Sequence, residues 1–236
     1  MKYVFNQCFG IGDVLFCEPI ARHFYNEGEN EIFWPLNDHF MWISDYIKYI
    51  NFVPKSSHRT DYDYESWNLG LTSLGVYYIP LEFSNQIVRK LKPYDYSDNY
   101  HNMLDKYRLL GFSEDMWKTL KWERNLEKEN KLYNLLVKDE NYILINTKWS
   151  EGNISIETDS KFQIINMDIL DGFTLFDWAK IIENACEIHT VSTSNLYLLE
   201  TLNLKANKVN IYPRKPRENN LDGISEFVNK NFKLIS

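Results

Sequence analysis

Three short stretches of the chain carry residue types that could do chemistry. The first is Gly10-Ile11-Gly12-Asp13, set between the apolar opening Tyr3-Val4-Phe5 and a segment with Cys17, Ile20, Ala21 and Phe24 at helical spacing. A dinucleotide fingerprint needs a third glycine three positions after the second, and that position is Leu15. A carboxylate beside a pyrophosphate would also repel it. Asp13 therefore suits proton abstraction better than phosphate cradling, and the competing reading is a carboxylate favoured by the dipole of the helix start.

The second stretch is Ser192-Thr193-Ser194-Asn195, where an apolar strand runs directly into a helix. Backbone N–H groups at a helix start, together with hydroxyl donors, make a phosphate site. Four consecutive hydroxyl or amide side chains exceed what capping alone requires. The third is Thr147-Lys148, after the strand "YILIN". Parallel α/β sheets bind ligands outside the carboxyl ends of their strands, so Lys148 could neutralise a phosphate and Thr147 could donate to one. A solvated loop lysine is the plainer alternative.

Other combinations are weaker. Asp61/Asp63 and Asp95/Asp98 could hold a divalent cation, but both pairs sit in tyrosine-rich polar segments and read as surface loops. The five histidines show no metal spacing, and no Ser-His-Asp set can be assembled. No metal or resident cofactor is therefore expected. Arg124, Arg214 and Lys215 read as exposed charge.

These residues need strands and helices to place them. The first part alternates: a strand at 3–6, a helix at 12–26, a strand at 31–34, a helix at 40–49 and a strand at 51–53. Further strands are expected at 64–69 and 76–79. Residues 93–140 turn helical, with Ser113 capping next to Glu114 and Asp115. From 142 the alternation restarts with strands 142–146 and 162–167, and a helix at 174–185 opens on a Thr174/Asp177 capping box. A strand at 188–191, a helix at 196–202, a strand at 208–212 and a helix at 225–231 complete the chain. The pattern predicts an α/β protein with two Rossmann-like parallel-sheet domains, 1–98 and 140–236, joined by a helical connector, 99–139.

Bulk composition narrows the partners. With 236 residues and 44% hydrophobic content, the chain can build a core. Its net charge of -7 argues against nucleic acid, whose phosphates want basic surface. No apolar run spans a membrane and no signal segment is evident. Three scattered cysteines make no disulfide framework, so a reducing cytoplasm is expected.

Taken together, these stretches resemble the heptosyltransferase family of GT-B glycosyltransferases. That family opens with a strand, a Gly-Asp pair and a proline, matched here by Gly12-Asp13 and Pro19. Its second half has a helix and then a strand leading into a donor-diphosphate loop, matched in order and spacing by "DGFTLFDWAKIIENACEIHTVSTSNLYLLETL". The resemblance implies that the two domains face a cleft and that Asp13 is the catalytic base. It places Gly10 and Gly12 in the acceptor-side loop and Ser192, Thr193, Ser194 and Asn195 in the donor loop. Thr147 and Lys148 match the family's hydroxyl and lysine after the first strand of the donor half.

The implied reaction is metal-independent, inverting transfer from a nucleoside-diphosphate sugar to a glycan, lipid-linked or protein acceptor, with peripheral membrane contact left open by the acceptor. The chain departs from the family at Ser192, which replaces an aspartate, and at Tyr197-Leu198, which replaces a histidine-leucine pair. It is also shorter. The alternative is a non-catalytic nucleotide- or sugar-binding relative with the same fold; a nicotinamide-dependent oxidoreductase is disfavoured by the absent third glycine.

Overall fold

Buried apolar strands and the helices that cover them organise the described residues. The computed structural model describes residues 2–5, 10–54, 76–79, 101–150, 152–158, 161–214, 228–229 and 231–235. They divide into two units, the described residues up to Glu123 and those from Arg124 onward.

In the first unit, β1 (Lys2–Phe5), β2 (Glu31–Leu36), β3 (Asn51–Pro54) and β4 (Val76–Ile79) form a parallel sheet in the order β3-β2-β1-β4. Helix α1 (Ile11–Tyr25) follows β1 and is basic in its last turn, at Arg22 and His23, as the helix dipole favours. Asn26 then ends it in the left-handed region, at φ 47°. The helical stripe of Cys17, Ile20 and Ala21 is fully buried, but so are Val14, Leu15, Phe16, Glu18 and Pro19.

One buried face is therefore not enough to describe α1. On one side Phe24 meets Tyr3 and Phe5 of β1 at ring separations of 5.0 and 5.7 Å. On the other, Phe16 packs on Tyr107 and Trp117, at 5.2 and 5.8 Å. Tyr107 belongs to α2 (His101–Leu109), and Trp117 to a 3₁₀ segment, Glu114–Thr119. Tyr107 Oη also donates to the Phe16 carbonyl, which ties α2 to α1.

The polar members of this buried helix are satisfied in place. Glu18 accepts from Arg22 Nε and from the Lys121 N–H, each at 3.0 Å, and from the Tyr49 hydroxyl. Arg22 in turn donates to the Thr119 carbonyl and hydroxyl, at 2.5 and 2.9 Å. The expected helix at 40–49 is instead a 3₁₀ segment, Asp38–Asp45, with only Ile43 buried within it. One buried side chain gives no long apolar stripe to hold regular α-helical turns.

The second unit is a five-stranded parallel sheet. Its strands are β5 (Tyr142–Asn146), β8 (Gln163–Asn166), β9 (Glu187–Val191), β10 (Lys208–Tyr212) and β11 (Lys233–Leu234), ordered β11-β10-β9-β5-β8. Between β5 and β8 lies a small antiparallel hairpin, β6 (Lys148–Trp149) and β7 (Gly152–Asn153). Every residue of β5 is buried, as its uninterrupted apolar run requires of a central parallel strand.

Helix α3 (Leu126–Leu136) starts with Asn125 accepting from the Lys128 N–H. Arg124 donates to Glu129 of α3 and pairs with Glu183 at 2.8 Å, linking α3 to α4 (Ala179–Asn184). Tyr142 of β5 donates to the Ile181 carbonyl at 2.7 Å, which seats α4 on the sheet. The Thr174/Asp177 capping box is present, but the first turn it opens, Leu175–Trp178, is 3₁₀ before α4 begins. Helix α5 (Asn195–Thr201) joins β9 to β10.

The residues expected as a connector thus divide, α2 lying with the first unit and α3 with the second. The strand expected at 64–69 and most of the helix expected at 225–231 lie outside the described residues.

Candidate functional site

The carboxyl ends of parallel strands, where strand order reverses, are where α/β sheets bind ligands. In the first unit that point lies between β1 and β4, and α1 begins beside it. Gly10, in extended conformation, precedes the helix, and its carbonyl accepts from the Val14 N–H at 3.2 Å. A Cβ on Gly10 would lie 3.3 Å from Asp13 Oδ2, so the half-buried carboxylate folds back over the helix start. There it is favoured by the positive end of the dipole. Gly12, also half-buried, occupies the same first turn.

One helical turn on, the Cys17 thiol is fully buried, and burial pushes it up to about 12, the Asp13 charge adding to the shift while the Lys106 ammonium opposes it. Cys17 is therefore a thiol of the core rather than a nucleophile. Lys106, on α2, is itself buried.

In the second unit the reversal lies between β5 and β9. Asn146, the last residue of β5, pairs in register with Thr190 of β9, so both side chains project from one face of the sheet. Asn146 Nδ2 donates to Thr190 Oγ1 and to Thr193 Oγ1, each at 3.2 Å. Asn195 Nδ2 donates to Thr190 Oγ1 at 2.7 Å, and Thr193 Oγ1 donates to Asn195 Oδ1 at 2.5 Å. This closed network of two amides and two hydroxyls sets the conformation of the β9–α5 loop.

The fold thus brings Thr193 and Asn195 together and adds Asn146 and Thr190, which sequence reasoning missed. An asparagine ending an otherwise apolar strand was the available signal, but its partner depends on strand register. Ser192 is fully buried: its N–H donates to the Tyr212 carbonyl at 3.0 Å, and its carbonyl accepts from Arg214 Nε at 2.6 Å. Ser194 is half-buried and makes no side-chain cap bond at the start of α5.

Thr147 and Lys148 stand at the carboxyl end of β5. The Thr147 carbonyl accepts from the Ile154 N–H at 3.1 Å, across the β6–β7 hairpin. Lys148 is exposed, and its ammonium donates to Asp168 Oδ2 at 2.5 Å. The Lys148 hydrogen bond, with help from the Ile169 N–H, holds the Asp168 carboxyl below its usual range.

Next to the network, on the opposite face of β9, His189 is buried with Nδ1 3.0 Å from the Tyr212 hydroxyl and Nε2 3.3 Å from Glu187. Burial depresses its basicity. Among the described residues no three His, Cys, Asp or Glu side chains stand close enough to hold a metal ion. Asp61, Asp63, Asp95 and Asp98 lie outside the described residues. No helix among the described residues is long and apolar enough to cross a membrane.

No protein-family model matches the chain, and no curated protein sequence matches it. Solved structures do. A glycosyl transferase family 9 protein from Veillonella parvula superposes with a TM-score of 0.55 at 10% identity, over 99% of this chain and 86% of that one. The E. coli ADP-heptose lipopolysaccharide heptosyltransferase II gives 0.56 at 11% identity, over 100% and 90%. The E. coli heptosyltransferase WaaC solved with ADP gives 0.51 at 13% identity, over 99% and 92%. The chain thus has the fold of these glycosyltransferase structures, two of which are heptosyltransferases.

Proposed function

We propose that the chain is an inverting, metal-independent glycosyltransferase that uses a nucleoside-diphosphate sugar. The observation that carries this reading is the Asn146–Thr190–Thr193–Asn195 network at the β5–β9 reversal point, in a fold shared with a heptosyltransferase solved with ADP. The network fixes a hydroxyl-rich loop at the end of the sheet where α/β proteins take ligands.

The second unit takes the donor. Thr193, Ser194 and Asn195 line the diphosphate site, Ser192 holds the loop from its buried position, and Thr147 and Lys148 contribute from the end of β5. Charge on the departing diphosphate is met by N–H donors and basic side chains rather than by a divalent cation.

The first unit takes the acceptor, with Gly10 and Gly12 leaving room beside the start of α1. Asp13 accepts the proton of the acceptor hydroxyl as its oxygen bonds to the anomeric carbon. The bond from that carbon to the diphosphate oxygen breaks, and its electron pair leaves on the nucleoside diphosphate. A single displacement of this kind inverts the anomeric centre. The acceptor is a hydroxyl of a glycan, a lipid-linked sugar or a protein.

The test is a panel of nucleoside-diphosphate sugars with the purified protein, reading nucleoside diphosphate released with and without EDTA. Release that persists in EDTA is expected for at least one donor. Binding of a donor without any release, with sugar and polysaccharide acceptors supplied, would favour the non-catalytic alternative. Release abolished by EDTA and restored by manganese would overturn metal independence.

A further inference from the structure

Arg214 follows β10 at the carboxyl end of the sheet, and its Nε–H donates to the Ser192 carbonyl at 2.6 Å. The Ser192 N–H donates to the Tyr212 carbonyl at 3.0 Å, which carries the β9–β10 pairing one step beyond Val191. The guanidinium is therefore anchored from both strands. The peptide group it grips is the one joining Ser192 to Thr193, whose hydroxyl belongs to the network described above.

The anchoring bond uses one of the five N–H donors of a guanidinium. Arg214 is half-buried, and among the described residues no carboxylate pairs with it. Its situation contrasts with that of Lys148, which is exposed and already paired with Asp168. A half-buried guanidinium with no carboxylate partner among the described residues stands out in a chain with a net charge of -7. A planar fork of donors held this way matches the oxygens of a phosphate, which it can take two at a time.

We infer that Arg214 is a phosphate-binding residue of the donor site and the principal cation facing the diphosphate there. The inference rests on the donor reading above. Lys148 is then the auxiliary cation, reached by the diphosphate only as Asp168 gives it up.

The experiment uses the full chain and three variants, Arg214→Gln, Arg214→Lys and Lys148→Ala, titrated calorimetrically with inorganic pyrophosphate, ADP and UDP. Ligand-free melting temperatures are recorded in parallel. Arg214→Gln is expected to weaken binding more than tenfold, Arg214→Lys to fall between it and the parent, and Lys148→Ala to lose less than threefold. All three should melt close to the parent without ligand. Binding of Arg214→Gln within twofold of the parent would overturn the inference and leave the donor reading standing. Equal loss in the Gln and Lys variants, tracking an equal fall in ligand-free melting temperature, would reduce Arg214 to a structural role. If the parent chain takes up none of the three probes, the donor reading itself fails and the inference falls with it.

Discussion

The ammonium of Lys148 lies 2.5 Å from the carboxylate of Asp168, across the carboxyl ends of the paired strands β5 and β8. The Met167 N–H donates to the Ile145 carbonyl at 2.8 Å, which keeps the two chains in register up to this pair. The carboxylate thus occupies the place on the lysine that a phosphate oxygen would take.

Both side chains are largely exposed, 53% and 46%, so the pair is worth only about 0–1 kcal/mol. Asp168→Asn should accordingly strengthen pyrophosphate binding by no more than about fivefold, the equivalent of that energy. Isothermal calorimetry at low ionic strength reads this directly. A weaker complex would mean that the Asp168 carboxylate helps to hold the ligand rather than competing with it.

Asp13→Asn keeps size and polarity while removing the proton acceptor. Turnover should fall by roughly 10²–10⁴-fold, the usual contribution of a positioned base. Nucleotide affinity should hold, since the donor is assigned to the other unit. Loss of the favourable charge at the helix start should cost only about 0.3–1 kcal/mol of stability. Steady-state rates, donor affinity and melting temperature measured on one preparation separate the roles, and near-normal turnover would leave Asp13 as a helix-start charge alone.

His189 makes stability depend on pH with a definite sign. Burial lowers its folded-state basicity below the ordinary value of 6.5, against which the Glu187 contact works. Below 6.5 the unfolded chain takes up a proton that the folded chain resists. Stability is therefore intact above that pH and declines as pH falls from it toward the depressed folded-state value. Melting temperature between about pH 7.5 and pH 5.5 should show this slope in the parent (a range of about one unit on either side of an ordinary histidine). His189→Gln should flatten it, and an unchanged slope would assign the acid sensitivity to other groups.

Glu18 is the hub of the buried contacts between α1 and the segment ending at Lys121. Burial holds its carboxyl above the usual range despite Arg22, the Tyr49 hydroxyl and the Lys121 N–H. Replacing it with alanine leaves those donors without their acceptor, and breaking a buried pair this way costs on the order of 3–5 kcal/mol. Glu18→Gln, which retains an acceptor oxygen, should cost clearly less. Urea denaturation of the two variants provides the comparison; equal losses would show that the charged carboxylate, and not side-chain volume or a single acceptor oxygen, matters at this position.

Much of the local architecture can be read from short-range pattern. The apolar run of β5, the Cys17/Ile20/Ala21 stripe of α1 and the Thr174/Asp177 capping box each depend on residues within a turn or two of one another. Periodicity and capping chemistry act at that range, so these features follow from neighbouring residues alone. Composition and order likewise gave two α/β halves, and the Gly12-Asp13 and β9–α5 motifs pointed to the fold that the solved structures share.

The site itself is assembled over longer distances. Asn146 and Thr190 are 44 residues apart, and they meet because β5 and β9 pair in parallel with that register. Glu18 is buried by a segment 103 residues on, which is why a helix that reads as one-sided is covered on both sides. Lys148 reads as a phosphate ligand until β8 brings Asp168 to it, and Arg214 reads as loop charge until β10 sets it against the Ser192 carbonyl. A parallel register is imposed by crossovers and by burial of both sheet faces, and one residue of slip would turn each of these side chains to the other face. Residue types and local spacing therefore specified the strands, the helix starts and the candidate groups, while the pairing of distant strands selected which groups meet and which charges remain for a ligand.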